Sequence, residues 1–128
     1  ALLNQYDFIS YLGRIDDRDK LREVLRSADL FVMPSFKETF GLVYVEAMSQ
    51  GLPIVYSEGQ GVDGYFDETR VGEKVNPRDV NSVARAIETI TLDLPRYASK
   101  CNKEAARFSW ASIAQQYSVI YSNILSNR

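Results

Sequence analysis

Apolar residues follow two rhythms along this chain. In its first half they come as short runs: Phe8, Ile9, Tyr11 and Leu12 before Gly13; Leu30 to Met33 before Pro34; Ile54, Val55 and Tyr56 after Pro53. Such runs, bounded by turn residues, predict buried strands. A fourth, short strand is predicted over residues 71–75. Between the first two runs, Leu21, Val24, Leu25 and Ala28 recur at helical spacing and predict a helix over residues 18–28. A second helix is predicted over residues 41–50, stopped by Gly51.

The second half keeps only the helical rhythm. Val80, Val83, Ala84, Ile87 and Ile90 form an amphipathic stripe behind Asp79, a predicted N-cap. A further helix is predicted over residues 95–107. A last one follows Ser109, with Ile113, Tyr117, Ile120 and Ile124 on one face. Strands that alternate with helices predict an α/β fold: an open parallel sheet of 3–4 strands, flanking helices and a C-terminal helical segment, as one domain over residues 1–128. The run at 30–33 reads as a central strand. Ligands in such sheets sit at the carboxyl ends of strands, which directs attention to residues 34–40.

Composition narrows the chemistry. With 128 residues, 45% of them hydrophobic and 25% charged, the chain is an ordinary globular domain. A net charge of −2 supplies no basic field for nucleic acid or anionic lipid. No apolar run approaches a membrane span, and no segment reads as a signal peptide. One cysteine, Cys101, fits a reducing compartment. The absence of histidine removes the usual general base and most zinc sites, so any catalysis rests on carboxylates, basic residues, backbone donors or the substrate itself.

Two carboxylates frame the stretch after the second strand. Glu38 falls in the expected loop, and Glu46 falls on the following helix. On one continuous helix they would lie about 80° apart around the axis and about 12 Å apart along it. With Glu38 in the loop, both can face one cleft. Between them lie the backbone donors of Phe40, Gly41, Leu42 and Val43, a helix start that suits a phosphate. Gly41 admits a diphosphate close to the backbone. Two readings stand for each acid. Glu38 binds a ligand hydroxyl or stabilises the helix start. Glu46 is an exposed helix residue or a group needing a partner, and the apolar neighbours Val43, Val45, Ala47 and Met48 argue for the second.

The ordered set of residues is more specific. Ala28-Asp29-Leu30-Phe31-Val32-Met33-Pro34-Ser35 precedes Glu38-Thr39-Phe40-Gly41-Leu42, and Glu46-Ala47-Met48 leads to Gly51-Leu52-Pro53-Ile54-Val55. Gly72, Val75, Asn76-Pro77 and Ser109-Trp110 continue the pattern. The chain thereby resembles the retaining glycosyltransferases of the GT-B fold, family 4, also described as glycosyl transferases group 1, over nearly its whole length. The resemblance implies part of their Rossmann-like C-terminal, donor-binding domain. It implies that Glu38, as the catalytic-site acid, accepts hydrogen bonds from the donor sugar's hydroxyls. Glu38, Thr39, Phe40, Gly41, Leu42 and Val43 would bind sugar and diphosphate, Glu46 the ribose, and main chain at Arg14 and Ile15 would face the base.

The resemblance further implies transfer of a hexose-type sugar from a nucleotide-diphosphate donor to a glycan or lipid-linked acceptor, in polysaccharide biosynthesis. Configuration is retained, and no cofactor or metal is expected. It implies a cytoplasmic enzyme, peripheral to the membrane in some settings. The family's donor domain opens with a loop and a Lys-Gly helix whose Arg and Lys clamp the diphosphate. Gly13-Arg14-Ile15 mimics the loop, but no Lys-Gly follows. The chain is therefore expected to be N-terminally truncated, to lack turnover by itself and to self-associate through uncovered apolar surface. A non-catalytic module for nucleotide or sugar binding, or for assembly, is the alternative.

The remaining candidates read as structural. Asp16, Asp17 and Asp19 lack calcium-loop spacing and suit a solvated loop. Cys101 has no basic partner and reads as an inert thiol. Trp110 is expected to anchor packing. Gly59-Gln60-Gly61 follows a strand and could approach the sugar, but it lacks the surroundings of a dinucleotide fingerprint.

Overall fold

The computed structural model describes residues 6–66 and 71–126. Among these residues eight elements follow one another: α1 (Arg18–Arg26), β1 (Phe31–Val32), α2 (Leu42–Ser49), β2 (Ile54–Ser57), β3 (Gly72–Val75), α3 (Val80–Leu92), α4 (Leu94–Ala106) and α5 (Trp110–Ser126). The strands form one parallel sheet in the order β1-β2-β3. Phe31 pairs with Ile54, and Ser57 pairs with Val75.

Alternation along β2 divides the core. Ile54 and Tyr56 join Leu25, Tyr44, Ala47, Met48 and Cys101 on one side of the sheet. Val55 joins Val75, Ala86, Ile90 and Tyr97 on the other. All four β2 residues are buried. A strand covered on both faces needs apolar residues at every position, which is why residues 53–57 read as a continuous run. Tyr97 and Cys101 of α4 reach into different clusters, so this helix closes both.

Local chemistry sets the helix ends. The Asp17 carboxylate caps α1 by accepting from the N–H groups of Asp19 and Lys20. Asp79 caps α3 through the Asn81 N–H at 2.9 Å. The Ser109 hydroxyl caps α5 through the Ser112 N–H at 3.2 Å. Gly51, left-handed at φ 88°, follows α2 as expected.

Several expectations are corrected. Residues 8–12 form no strand, and Phe8, Tyr11 and Leu12 are exposed. Burial of a strand depends on a neighbour to pair with, and none of the described residues offers these a ladder. For the same reason β1 is the edge of the described sheet rather than a central strand, and Val32 is exposed. In α3, Val80 and Ala84 face solvent, while Ala86 takes a core position. Among the described residues nothing covers the apolar face of α5, with Tyr117, Ile120 and Ile124 exposed, and Trp110 is 89% exposed rather than a packing anchor. Periodicity marks which residues share a face. It does not say that a partner covers the face.

Candidate functional site

The acidic loop, residues 34–41, leaves the carboxyl end of β1 and lies beside the loop that leaves the carboxyl end of β2. Hydrogen bonds from the end of β2 and from the loop after it hold it there. Ser57 donates its hydroxyl to the Ser35 carbonyl at 2.6 Å. Gln60 donates its amide to the Phe36 carbonyl at 2.8 Å and accepts from the Glu38 N–H at 2.9 Å. The Gly61 N–H donates to the Glu38 carbonyl at 3.3 Å. From the other side, the Tyr44 hydroxyl donates to the Met33 carbonyl at 2.5 Å.

Glycine is needed at two points of this assembly. Gly41 is left-handed at φ 83°, and a Cβ there would stand 2.5 Å from the Tyr44 ring. Gly61 is left-handed at φ 57°, and its Cβ would stand 2.9 Å from Glu38 Cγ. Both backbones come close because no side chain separates them. Burial raises the pKa of the Tyr44 phenol most. A hydrogen bond with Ser35 lowers it, and the charge of Glu38 adds to the rise.

Glu38 sits in the loop ahead of α2 and is half-buried. One carboxylate oxygen accepts from the Thr39 N–H at 3.0 Å. The helix behind it begins uncapped: Gly41 provides no side chain. Among the described residues, none accepts from the N–H groups of Phe40, Gly41, Leu42 or Val43. These donors and the positive end of the helix dipole form a place where an anion is stabilised.

Glu46 falls on the helix after the acidic loop, as expected, but it is more exposed than its apolar neighbours argued. Only Tyr44, Ala47 and Met48 of α2 are buried, so Glu46 is an exposed helix residue. Its helix neighbours are apolar, yet half of the helix surface faces away from the core. Among the described residues its carboxylate has no partner. It lines a cleft between α1 and α2 with Arg18, Arg22, Ser49 and Gln50. It also lines a more apolar one with Arg18, Phe40, Tyr65, Phe108 and Trp110. Glu38 lines neither, so these clefts do not bring the two acids together.

Arg14 is exposed and ion-paired to Asp16 at 2.6 Å, and Ile15 is half-buried. Asp19 pairs with Arg22 at 2.6 Å. With Asp17 at the cap of α1, each of the three aspartates has a structural task. Among the described residues no group of three or more acidic or cysteine side chains could hold a metal ion. Arg18 was not singled out in the sequence. Its signal was helical spacing, since Arg18 and Arg22 stand at i and i+4 on one face. Gln60 was noted only as part of a weak glycine pattern. Its role depends on a loop-to-loop contact that spacing does not show.

The model of the glycosyl transferases group 1 family matches residues 2–108. The chain belongs to that family. A D-inositol 3-phosphate glycosyltransferase of Corynebacterium kroppenstedtii is 34% identical over 110 residues, which are 84% of this chain and 24% of that protein. Sucrose-phosphate synthase from Thermosynechococcus elongatus superposes with a TM-score of 0.78 at 30% identity, over 94% of this chain and 31% of the other. Anabaena HepE, solved in complex with UDP and glucose, superposes with a TM-score of 0.73 at 27% identity, over 91% and 32%. The chain spans about a quarter of the length of the curated relatives it matches. Its parallel sheet with flanking helices is part of a group 1, GT-B glycosyltransferase architecture.

Proposed function

We propose that this chain is the donor-binding part of a retaining glycosyltransferase, which moves a hexose-type sugar from a nucleotide-diphosphate sugar to a glycan or lipid-linked acceptor. The observation that carries the reading is the uncapped start of α2 beside Glu38, at the carboxyl edge of the parallel sheet. Sugar hydroxyls donate to Glu38. The diphosphate takes the N–H groups of Phe40 to Val43, the ribose hydroxyls donate to Glu46, and the base lies along Arg14 and Ile15. The relative solved with UDP and glucose supports a donor of this class.

In this reading the acceptor attacks on the face the phosphate leaves, and the leaving phosphate assists its deprotonation. No metal is required. Preorganised cations on phosphoryl oxygens are a large catalytic term, and the family's Lys-Gly clamp is not in this sequence. The 128-residue chain alone is therefore expected to bind a donor without turning it over. A cytoplasmic setting fits this chemistry, and among the described residues no helix is long and apolar enough to cross a membrane.

Calorimetry with UDP, GDP, ADP and their sugars tests the reading. One nucleotide should bind, and Glu46→Ala should weaken it by about 10- to 150-fold, the loss of hydrogen bonds to a charged acceptor. No binding at millimolar ligand would overturn it. A second reading, an assembly module that self-associates, is favoured by the uncovered apolar face of α5. A monodisperse monomer across a concentration series by light scattering would count against it.

A further inference from the structure

The loop after β2 is braced independently of any ligand. The Gly59 N–H donates to the Asp63 carboxylate at 2.6 Å, and Asp63 pairs with Lys74 of β3 at 3.8 Å. On this platform Gln60 uses both ends of its amide, as donor to Phe36 and acceptor from Glu38, while Gly61 takes the Glu38 carbonyl. Both backbone polar groups of Glu38 are thus held by two consecutive residues, as in a one-residue bridge between strands. Glutamine suits the task because its side chain ends in a donor and an acceptor at the reach required.

We infer that Gln60 is the residue that positions Glu38 against the donor sugar. Gln60 touches no reacting group itself. It sets where the Glu38 backbone lies, and Gly61 lets the side chain cross at close range. Loss of the amide frees the loop at its acidic residue while leaving the sheet and the start of α2 in place. The inference rests on the donor reading given above, and it separates the sugar end of the site from the nucleotide end.

The test compares wild type with Gln60→Met, which keeps the length of the side chain, and with Gln60→Ala. Amide hydrogen exchange is followed at Glu38 and, as a control, at Val55 and Tyr56. Affinities are measured for the pairs UDP and UDP-glucose, GDP and GDP-mannose, and ADP and ADP-glucose. Exchange at Glu38 should rise at least about tenfold in both variants, with β2 unchanged, since one hydrogen bond of ordinary strength is lost. The preference for nucleotide sugar over nucleotide should fall about tenfold while nucleotide affinity holds. Unchanged exchange at Glu38 overturns the inference. So does an equal weakening of nucleotide and nucleotide sugar, the mark of a general structural role. A wild-type chain that binds no member of the three pairs overturns the donor reading and this inference with it. The exchange result still distinguishes that failure from a failure of the Gln60 contact.

Discussion

The hydroxyl of Tyr44, on α2, donates to the main-chain carbonyl of Met33 at 2.5 Å, so the helix is pinned to the last turn of chain leaving β1. Tyr44 is 1% exposed. Tyr44→Phe keeps the ring and removes the donor, leaving the carbonyl short of a partner. The expected loss is about 1–3 kcal/mol of stability. A urea titration checks this as a lower midpoint at unchanged slope.

Gly72 is the tightest glycine of the structure among the described residues. A Cβ there would stand 1.9 Å from the Ile54 carbonyl oxygen, which is main chain of the neighbouring strand and cannot swing aside. Gly72→Ala should force β2 and β3 apart and cost roughly 3 kcal/mol or more. Thermal denaturation followed by circular dichroism should show a large fall in Tm or no folded state.

Tyr97 donates its hydroxyl to Glu73 at 2.5 Å, joining α4 to β3. Burial, with the hydrogen bond to Glu73 and its charge adding, pushes the phenol up from 10.0 to about 12. Below pH 10 both folded and unfolded chains hold this proton and the contribution is complete. Between there and pH 12 the unfolded chain has released it while the folded chain retains it, so rising pH favours unfolding. The difference in unfolding free energy between wild type and Tyr97→Phe should therefore shrink as pH rises through that window. Denaturant titrations from pH 8 to 12 measure it.

Cys101 is fully buried in α4, and burial pushes its thiol up to about 12. The thiolate is the reactive form, so the native chain should resist alkylation by iodoacetamide at pH 8 and react completely in urea. Mass spectrometry reads both. Labelling of the native chain at the unfolded rate would contradict the packing.

What could be read in the sequence was what local chemistry decides. Asp79 and Ser109 are capping residues, Gly51 ends α2, and the apolar run of β2 is buried on both faces, all as their neighbours imply. The acidic loop was legible because an acid, a glycine and a helix start are contiguous. What could not be read depends on distant partners. Residues 8–12 and α5 carry apolar faces that local periodicity assigns to a core, yet nothing among the described residues covers them. The exposure of Glu46 was missed because apolar neighbours were counted along the chain instead of around the helix. The role of Gln60 was missed because its contacts cross from one loop to another over 22 and 24 positions.

The end of β2 and the loop after it grip the acidic loop by its main chain: the Ser35 and Phe36 carbonyls and both backbone groups of Glu38. The side chains of Phe36, Lys37 and Thr39 point to solvent and take no part in that grip. Placement and display are therefore separable. A library randomised at positions 36, 37 and 39, with Gln60, Gly61 and Gly41 fixed, should present new surfaces from an unchanged scaffold.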